Sequence, residues 1–151
     1  MPLASLAEIR ARIGSETGVS DWLAVDQARI DAFADATEDR QFIHTDPVAA
    51  AHTPFGGTIA HGFLTLSLLS RMAAEAMLLP DTLKMAVNYG LGRVRFIAPV
   101  RAGSRVRGRF RLDSAEEKAP GQILLRHTVT VEIEGEDKPA LTAQWLGLMF
   151  V

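Results

Sequence analysis

The chain has 151 residues, of which 48% are hydrophobic and 23% charged, and it carries a formal net charge of −2. That length can bury a core as one compact domain, and the charge balance gives no reason to expect a polyanionic partner such as nucleic acid. The lack of cysteine excludes disulfides, thiolate nucleophiles and cysteine-ligated metals, and it suits a cytoplasmic protein.

The opening stretch, MPLASLAEIRARIG, mixes acid and base early and has no apolar signal-peptide centre, so no secretory signal is expected. Ser5 to Glu8 has the form of a capping box. Leu6, Ile9 and Ile13 follow at helical spacing, and Gly14 is a stop. DWLAV, residues 21–25, is a short strand candidate. Asp26 can cap a helix to Thr37 whose apolar face is Ile30, Phe33 and Ala34. Asp46 and Pro47 start a second, short helix; Thr53-Pro54 ends it and Gly56-Gly57 turns the chain. From Gly62 to about Leu79 the sequence predicts the longest helix, apolar nearly all round and therefore enclosed. Ser67, Ser70, Arg71 and Glu75 interrupt it too often for a membrane span, and Pro80 terminates it.

The second half changes period. Residues 87–96 are β-like. In 104–113, Val106, Phe110 and Leu112 alternate with Arg105, Arg107, Arg109 and Arg111. In 122–135, Ile123, Leu125, His127, Val129, Val131 and Ile133 share one face, and residues 139–151 form a last long strand. Short connections make these strands antiparallel. The predicted fold class is α+β, one antiparallel sheet packed on a long buried helix. The four arginines would face outward, either as a solvated face or as ligands for the phosphates of a nucleotide-bearing substrate. One sheet leaves an open edge, so a dimer is expected.

Residues 36–62 hold three of the four histidines, His44, His52 and His61, together with Asp39 and Asp46. Asp39 follows a helix end, and a turn through Arg40-Gln41 can bring it and His44 to one point. A carboxylate and an imidazole meeting over one water can divide its proton handling; the plainer alternative is a turn aspartate and a structural histidine. Gly62 opens the long helix, where unpaired N–H groups could hold a developing oxyanion. The combination fits chemistry on an α,β-unsaturated carbonyl compound. His61 is expected to pack or to bond a turn, His52 to lie at the surface, and His127 to be a satisfied core histidine. His44, Asp46, His52 and His61 could supply zinc ligands, but their spacing matches no zinc motif, and no metal is expected. Ser70, two turns along the helix from Gly62, could donate to Asp39 or bond its own backbone. Met72 and Met77 read as core.

The stretch FADATEDRQFIHTDPVAAAHTPFGGTIAHGFLTLSLLS resembles the hydratase motif of the MaoC-like dehydratases, the family of (R)-specific enoyl-CoA hydratases. The pattern falls on Asp39, His44, Asp46-Pro47, Phe55-Gly56 and Ile59-Ala60-His61-Gly62, and a weaker likeness runs on through NYGLGRVRFIAPVRAGSRVRGR and WLGL. The resemblance implies a single hot-dog domain over 1–151, a homodimer or a larger assembly of dimers, and no membrane or nucleic-acid partner. It implies an acyl-CoA thioester substrate and hydration of trans-2-enoyl-CoA to (R)-3-hydroxyacyl-CoA with no metal or redox cofactor. It carries the water-holding pair to Asp39 and His44 and the carbonyl-polarising amide to Gly62. Asn88 and Tyr89 are candidates to line the acyl pocket. Gln41-Phe42 replaces the Asn-Pro of many members and resembles the nodulation-protein-N-like branch. Arg40 would weaken Asp39 as a base if it faced the carboxylate, and is expected to face solvent. The alternatives are a hot-dog acyl-CoA thioesterase and a non-catalytic acyl-thioester-binding subunit of a two-component dehydratase.

Overall fold

The computed structural model describes residues 2–151. In chain order the elements are β1 (Leu3–Ala4), α1 (Leu6–Ala11), β2 (Glu16–Val19), β3 (Leu23–Val25), α2 (Gln27–Thr37), α3 (Phe42–Thr45) and α4 (Pro47–Ala50). Then come α5 (Gly62–Ser67), α6 (Leu69–Ala76), β4 (Leu79–Pro80), β5 (Met85–Phe96), β6 (Ser104–Ala119), β7 (Gln122–Ile133) and β8 (Leu141–Phe150). The helix starts form where short polar side chains can accept from orphan amides. Ser5 and Glu8 complete a reciprocal capping box, Asp26 accepts from the Arg29 amide, and Asp46 accepts from those of Val48 and Ala49.

The main sheet runs β2-β6-β7-β8-β5, with β3 also paired to β6, and every one of these pairings is antiparallel. Alternation fixes its inner face. Val106, Phe110 and Leu112 oppose Ile133, Val129 and His127 across the β6–β7 ladder, and all six are buried. The outer face carries the four arginines, each with a carboxylate. Arg105 pairs with Glu134, Arg107 with Glu132, Arg109 with Glu16 and Glu132, and Arg111 with Asp113. Their charges are matched within the fold, which supports the solvated face over a phosphate site.

The helix expected over Gly62 to Leu79 is two helices. The single residue Leu68 separates them, and just before it the Ser67 hydroxyl donates to the Phe63 carbonyl at 2.7 Å. The helical run also ends earlier, since Leu79–Pro80 pairs in parallel with Leu3–Ala4. Nor is it enclosed all round. Leu64, Leu69, Met72, Ala73 and Ala76 enter the core with Met77, whereas Phe63 is 69% exposed in the single chain. Strand β2 was not legible in the sequence. It lies against the end of α6 so closely that a Cβ on Gly18 would sit 2.7 Å from the Ala76 carbonyl oxygen. After β4 the chain crosses to the far side of the sheet, where β5 pairs with β8 on one edge and leaves the other open. Among the described residues no helix is long and apolar enough to cross a membrane.

Candidate active site

Helix α2 stops at Glu38, which takes a left-handed conformation (φ 62). This conformation, unusual for a residue other than glycine, turns the chain so that exposed Asp39 faces the next short helix. That helix, α3, carries His44, buried to 6% exposure. Gln27 at the start of α2 holds the same region from behind. Its amide nitrogen donates to the His44 carbonyl at 2.7 Å, and its amide oxygen accepts from the Thr58 hydroxyl.

The His44 Nδ1–H donates to the Ile59 carbonyl, with the two atoms 2.6 Å apart. A carbonyl only accepts, so the neutral ring carries its proton on Nδ1 and leaves the Nε2 lone pair free. His61 is treated in the same way. Its Nε2–H donates to the Asp39 main-chain carbonyl at 2.9 Å, and its Nδ1 is buried without a hydrogen-bond partner. The two rings stack, centroids 3.8 Å apart and planes 25° apart, and Phe33 packs on His61 at 5.0 Å. One carboxylate oxygen of Asp39 and one ring nitrogen each of His44 and His61 lie within 4.8 Å of one another.

The cluster therefore has three members where the sequence suggested two. His61 was expected to pack or bond a turn; it does both, and it also touches each member of the pair. The zinc set His44, Asp46, His52 and His61 does not assemble. Asp46 is committed to the α4 amides and His52 is exposed. His44, His61 and Asp39 do come together, but face-to-face imidazoles send their in-plane lone pairs out side by side, a poor arrangement for chelating one ion. Arg40 turns away and pairs with Asp35 at 3.2 Å, where both side chains are exposed.

Helix α5 opens directly after His61. The Leu64 and Thr65 amides turn to the His61 carbonyl, at 3.0 and 3.2 Å, and the Gly62 amide lies ahead of both. A Cβ on Gly62 would meet the Phe96 ring at 2.9 Å, so the side chain is absent where β5 leans on the helix start. A cavity of about 340 Å³ borders Gly62, Thr65, Ile59 and Phe96. A second, of about 310 Å³, lies between α5–α6 and β5 and is lined by Phe63, Ser70, Asn88, Tyr89 and Trp145. Ser70 makes no hydrogen bond to Asp39. It borders this second cavity with Asn88 and Tyr89, and Trp145 Nε1 donates to the Asn88 side-chain oxygen at 3.1 Å. His127 is in the core as expected, but it is not satisfied there, since its Nε2 has no partner. Burial pushes it down to about 4, against a weaker upward pull from Asp113.

An antiparallel sheet wrapped over a helix is the hot-dog architecture. The family description "MaoC like domain" matches residues 8–134, and the chain belongs to the MaoC-like dehydratase family. It is 55% identical over 146 residues to nodulation protein N of Rhizobium leguminosarum bv. viciae, covering 96% of this chain and 91% of that protein. It is 47% identical over 140 residues to 3-hydroxyacyl-thioester dehydratase Z of Mycobacterium tuberculosis, covering 93% and 92%. Among solved structures, the (R)-hydratase from A. caviae superposes with a TM-score of 0.72 at 26% identity, covering 89% of this chain and 94% of that one.

Proposed function

We propose that the protein is an enoyl-thioester hydratase acting in either direction, adding water to a trans-2-enoyl-CoA to give the (R)-3-hydroxyacyl-CoA. The observation that carries this reading is the meeting of the Asp39 carboxylate with an imidazole whose free nitrogen is fixed by the Ile59 carbonyl. Asp39 removes a proton from water as the oxygen bonds to C3. The C2–C3 π pair moves toward the thioester carbonyl, and the Gly62 N–H steadies the enolate oxygen. His44 orients the water and shares in passing the proton to C2, so that water's atoms are all accounted for in the product. The sequence is redox-neutral and draws on no cofactor.

Support for the substrate class comes from the relatives, one named as a 3-hydroxyacyl-thioester dehydratase and one as an (R)-hydratase. Ser70, Asn88 and Tyr89 would line the acyl chain's path along α5–α6. A second copy would cover β5, whose outer edge is unpaired and whose Met85, Val87, Tyr89 and Leu91 are exposed. A cytoplasmic location accords with a coenzyme A thioester as substrate.

The test is loss of enoyl-thioester absorbance when the purified protein is mixed with crotonyl-CoA. Asp39→Asn and His44→Ala should each lower turnover about 10²- to 10⁴-fold. Wild-type rates in both variants would refute the mechanism. Release of free thiol from saturated acyl-CoA would assign the fold to thioester hydrolysis instead.

A further inference from the structure

The cavity bordered by Phe63, Ser70 and Tyr89 does not end the apolar surface along the helices. A further recess of about 240 Å³ lies between α6 and strands β5 and β8, and it shares Ser70, Asn88 and Trp145 with that cavity. Those three residues form a waist. Past it stand Ala73, Ala74, Ala86 and Gly147, which have no side chain beyond Cβ, together with Met77 and Met149. The space exists because side chains are missing around it. At Gly147 even a Cβ would meet the Met149 Cε at 2.8 Å.

Chemistry and length decide what suits it. No charged residue lines either cavity, and the recess has polar side chains only at its waist, where Trp145 Nε1 donates to the Asn88 oxygen. The phosphates and amides of a coenzyme A arm would lose water there without gaining partners, whereas an alkyl chain gains by burial. Gly62, the candidate carbonyl site, lies eight residues before Ser70, roughly 12 Å along the helices. An extended alkyl chain advances about 1.3 Å per bond, given C–C bonds of about 1.5 Å. A crotonyl group therefore spans about 4 Å and stops short of the waist, while a twelve-carbon chain spans about 14 Å and passes it.

We propose that the recess is a tail subsite, and that the substrate is a straight-chain enoyl thioester of about ten carbons or more. The proposal rests on the hydratase reading above and names the acyl group that reading left open. Ala74 on the helix and Ala86 on the strand keep the subsite open from opposite walls. Met77 and Met149, unbranched and flexible, adapt to the end of the chain. Ala86 and Val87 are exposed in the single chain, so a side chain of a second copy is the rival occupant. The shared waist favours a group that enters from the cavity assigned to the acyl chain.

The test compares hydration of crotonyl-CoA with that of trans-2-dodecenoyl-CoA. Wild-type kcat/KM should be at least about tenfold higher for the longer thioester. Ala74→Leu and Ala86→Leu each fill the recess, one from a helix and one from a strand, so the loss of one fold leaves the other variant to read. In each the ratio of the two kcat/KM values should fall at least about tenfold, a change that general destabilisation would not produce. A wild type that prefers crotonyl-CoA would overturn the proposal, as would an unchanged ratio in both variants. Variants that keep the ratio but separate two chains by light scattering would assign the recess to a second copy instead. If the wild type hydrates neither thioester, the hydratase reading fails, and calorimetry with saturated acyl-CoAs then judges the recess alone. Dodecanoyl-CoA bound more tightly than butyryl-CoA by the wild type, but not by Ala74→Leu, would uphold it; equal binding would refute it.

Discussion

His127 makes folding less favourable in acid, because its buried ring resists taking up a proton. Its ring lies against Phe110, centroids 6.4 Å apart, and its Nε2 has no partner. Above about pH 6.5 the ring is neutral in both folded and unfolded chains and its titration contributes nothing to the balance. Below that, the unfolded chain takes up a proton that the buried ring refuses, so stability falls with pH and levels off under about 4, where the folded ring charges too. The loss across that window is on the order of 3 kcal/mol. His127→Leu removes both the orphan nitrogen and the titration. We expect its urea midpoint to match or exceed the wild type's at pH 7 and to fall less between pH 7 and pH 5. An equal fall in the two proteins would place the acid sensitivity elsewhere. The sequence put His127 on the core face by alternation alone, but alternation does not say whether a polar atom finds a partner, and here it does not.

Between elements, the segment that carries His44 is held by two kinds of contact with different consequences. Asp46 caps α4 by accepting from two amides, each at 3.0 Å. Asp46→Ala should cost about 1 kcal/mol of stability and leave the turnover of folded molecules near the wild-type value. Gln27 works across the fold, donating to the His44 carbonyl and accepting from Thr58. Gln27→Leu leaves both groups unpaired and should cost about 1–3 kcal/mol. It should also lower kcat, because the His44 main chain loses its anchor. Denaturation midpoints with kcat for the two variants check the contrast; equal effects on kcat would refute it. The same contrast marks what the sequence could reveal. Caps such as Ser5, Asp26 and Asp46 act within three residues, so local spacing displays them. Gln27 reaches 17 and 31 residues along the chain, and the His44–His61 stack also joins distant residues. No periodicity encodes such contacts. The break at Leu68 is local, but it falls inside a continuous apolar pattern that does not mark it.

At the scale of the molecule, the alternating β6 and β7 made the sheet legible, whereas strand order was not, because β5 reaches its place beside β8 by a long crossing. That placement leaves twelve residues of β5 on the open edge, only one of them partly covered. Phe63, Tyr89 and Leu91, exposed in the single chain, border the same cavity as Ser70 and Trp145. An apolar edge of that length invites strand pairing, and a second copy offers the same edge with matching hydrogen-bond spacing. Covering it would also wall the cavity proposed for the acyl chain, which would couple association to turnover. Light scattering should therefore give the mass of two chains. Leu91→Pro, which puts a rigid ring on the pairing strand, should shift the protein to a single chain. If the cavity is completed only by the partner, crotonyl-CoA hydration should fall at least tenfold in that variant, while circular dichroism still reports a folded sheet. A folded, monomeric Leu91→Pro with wild-type turnover would show that each chain closes its own acyl site.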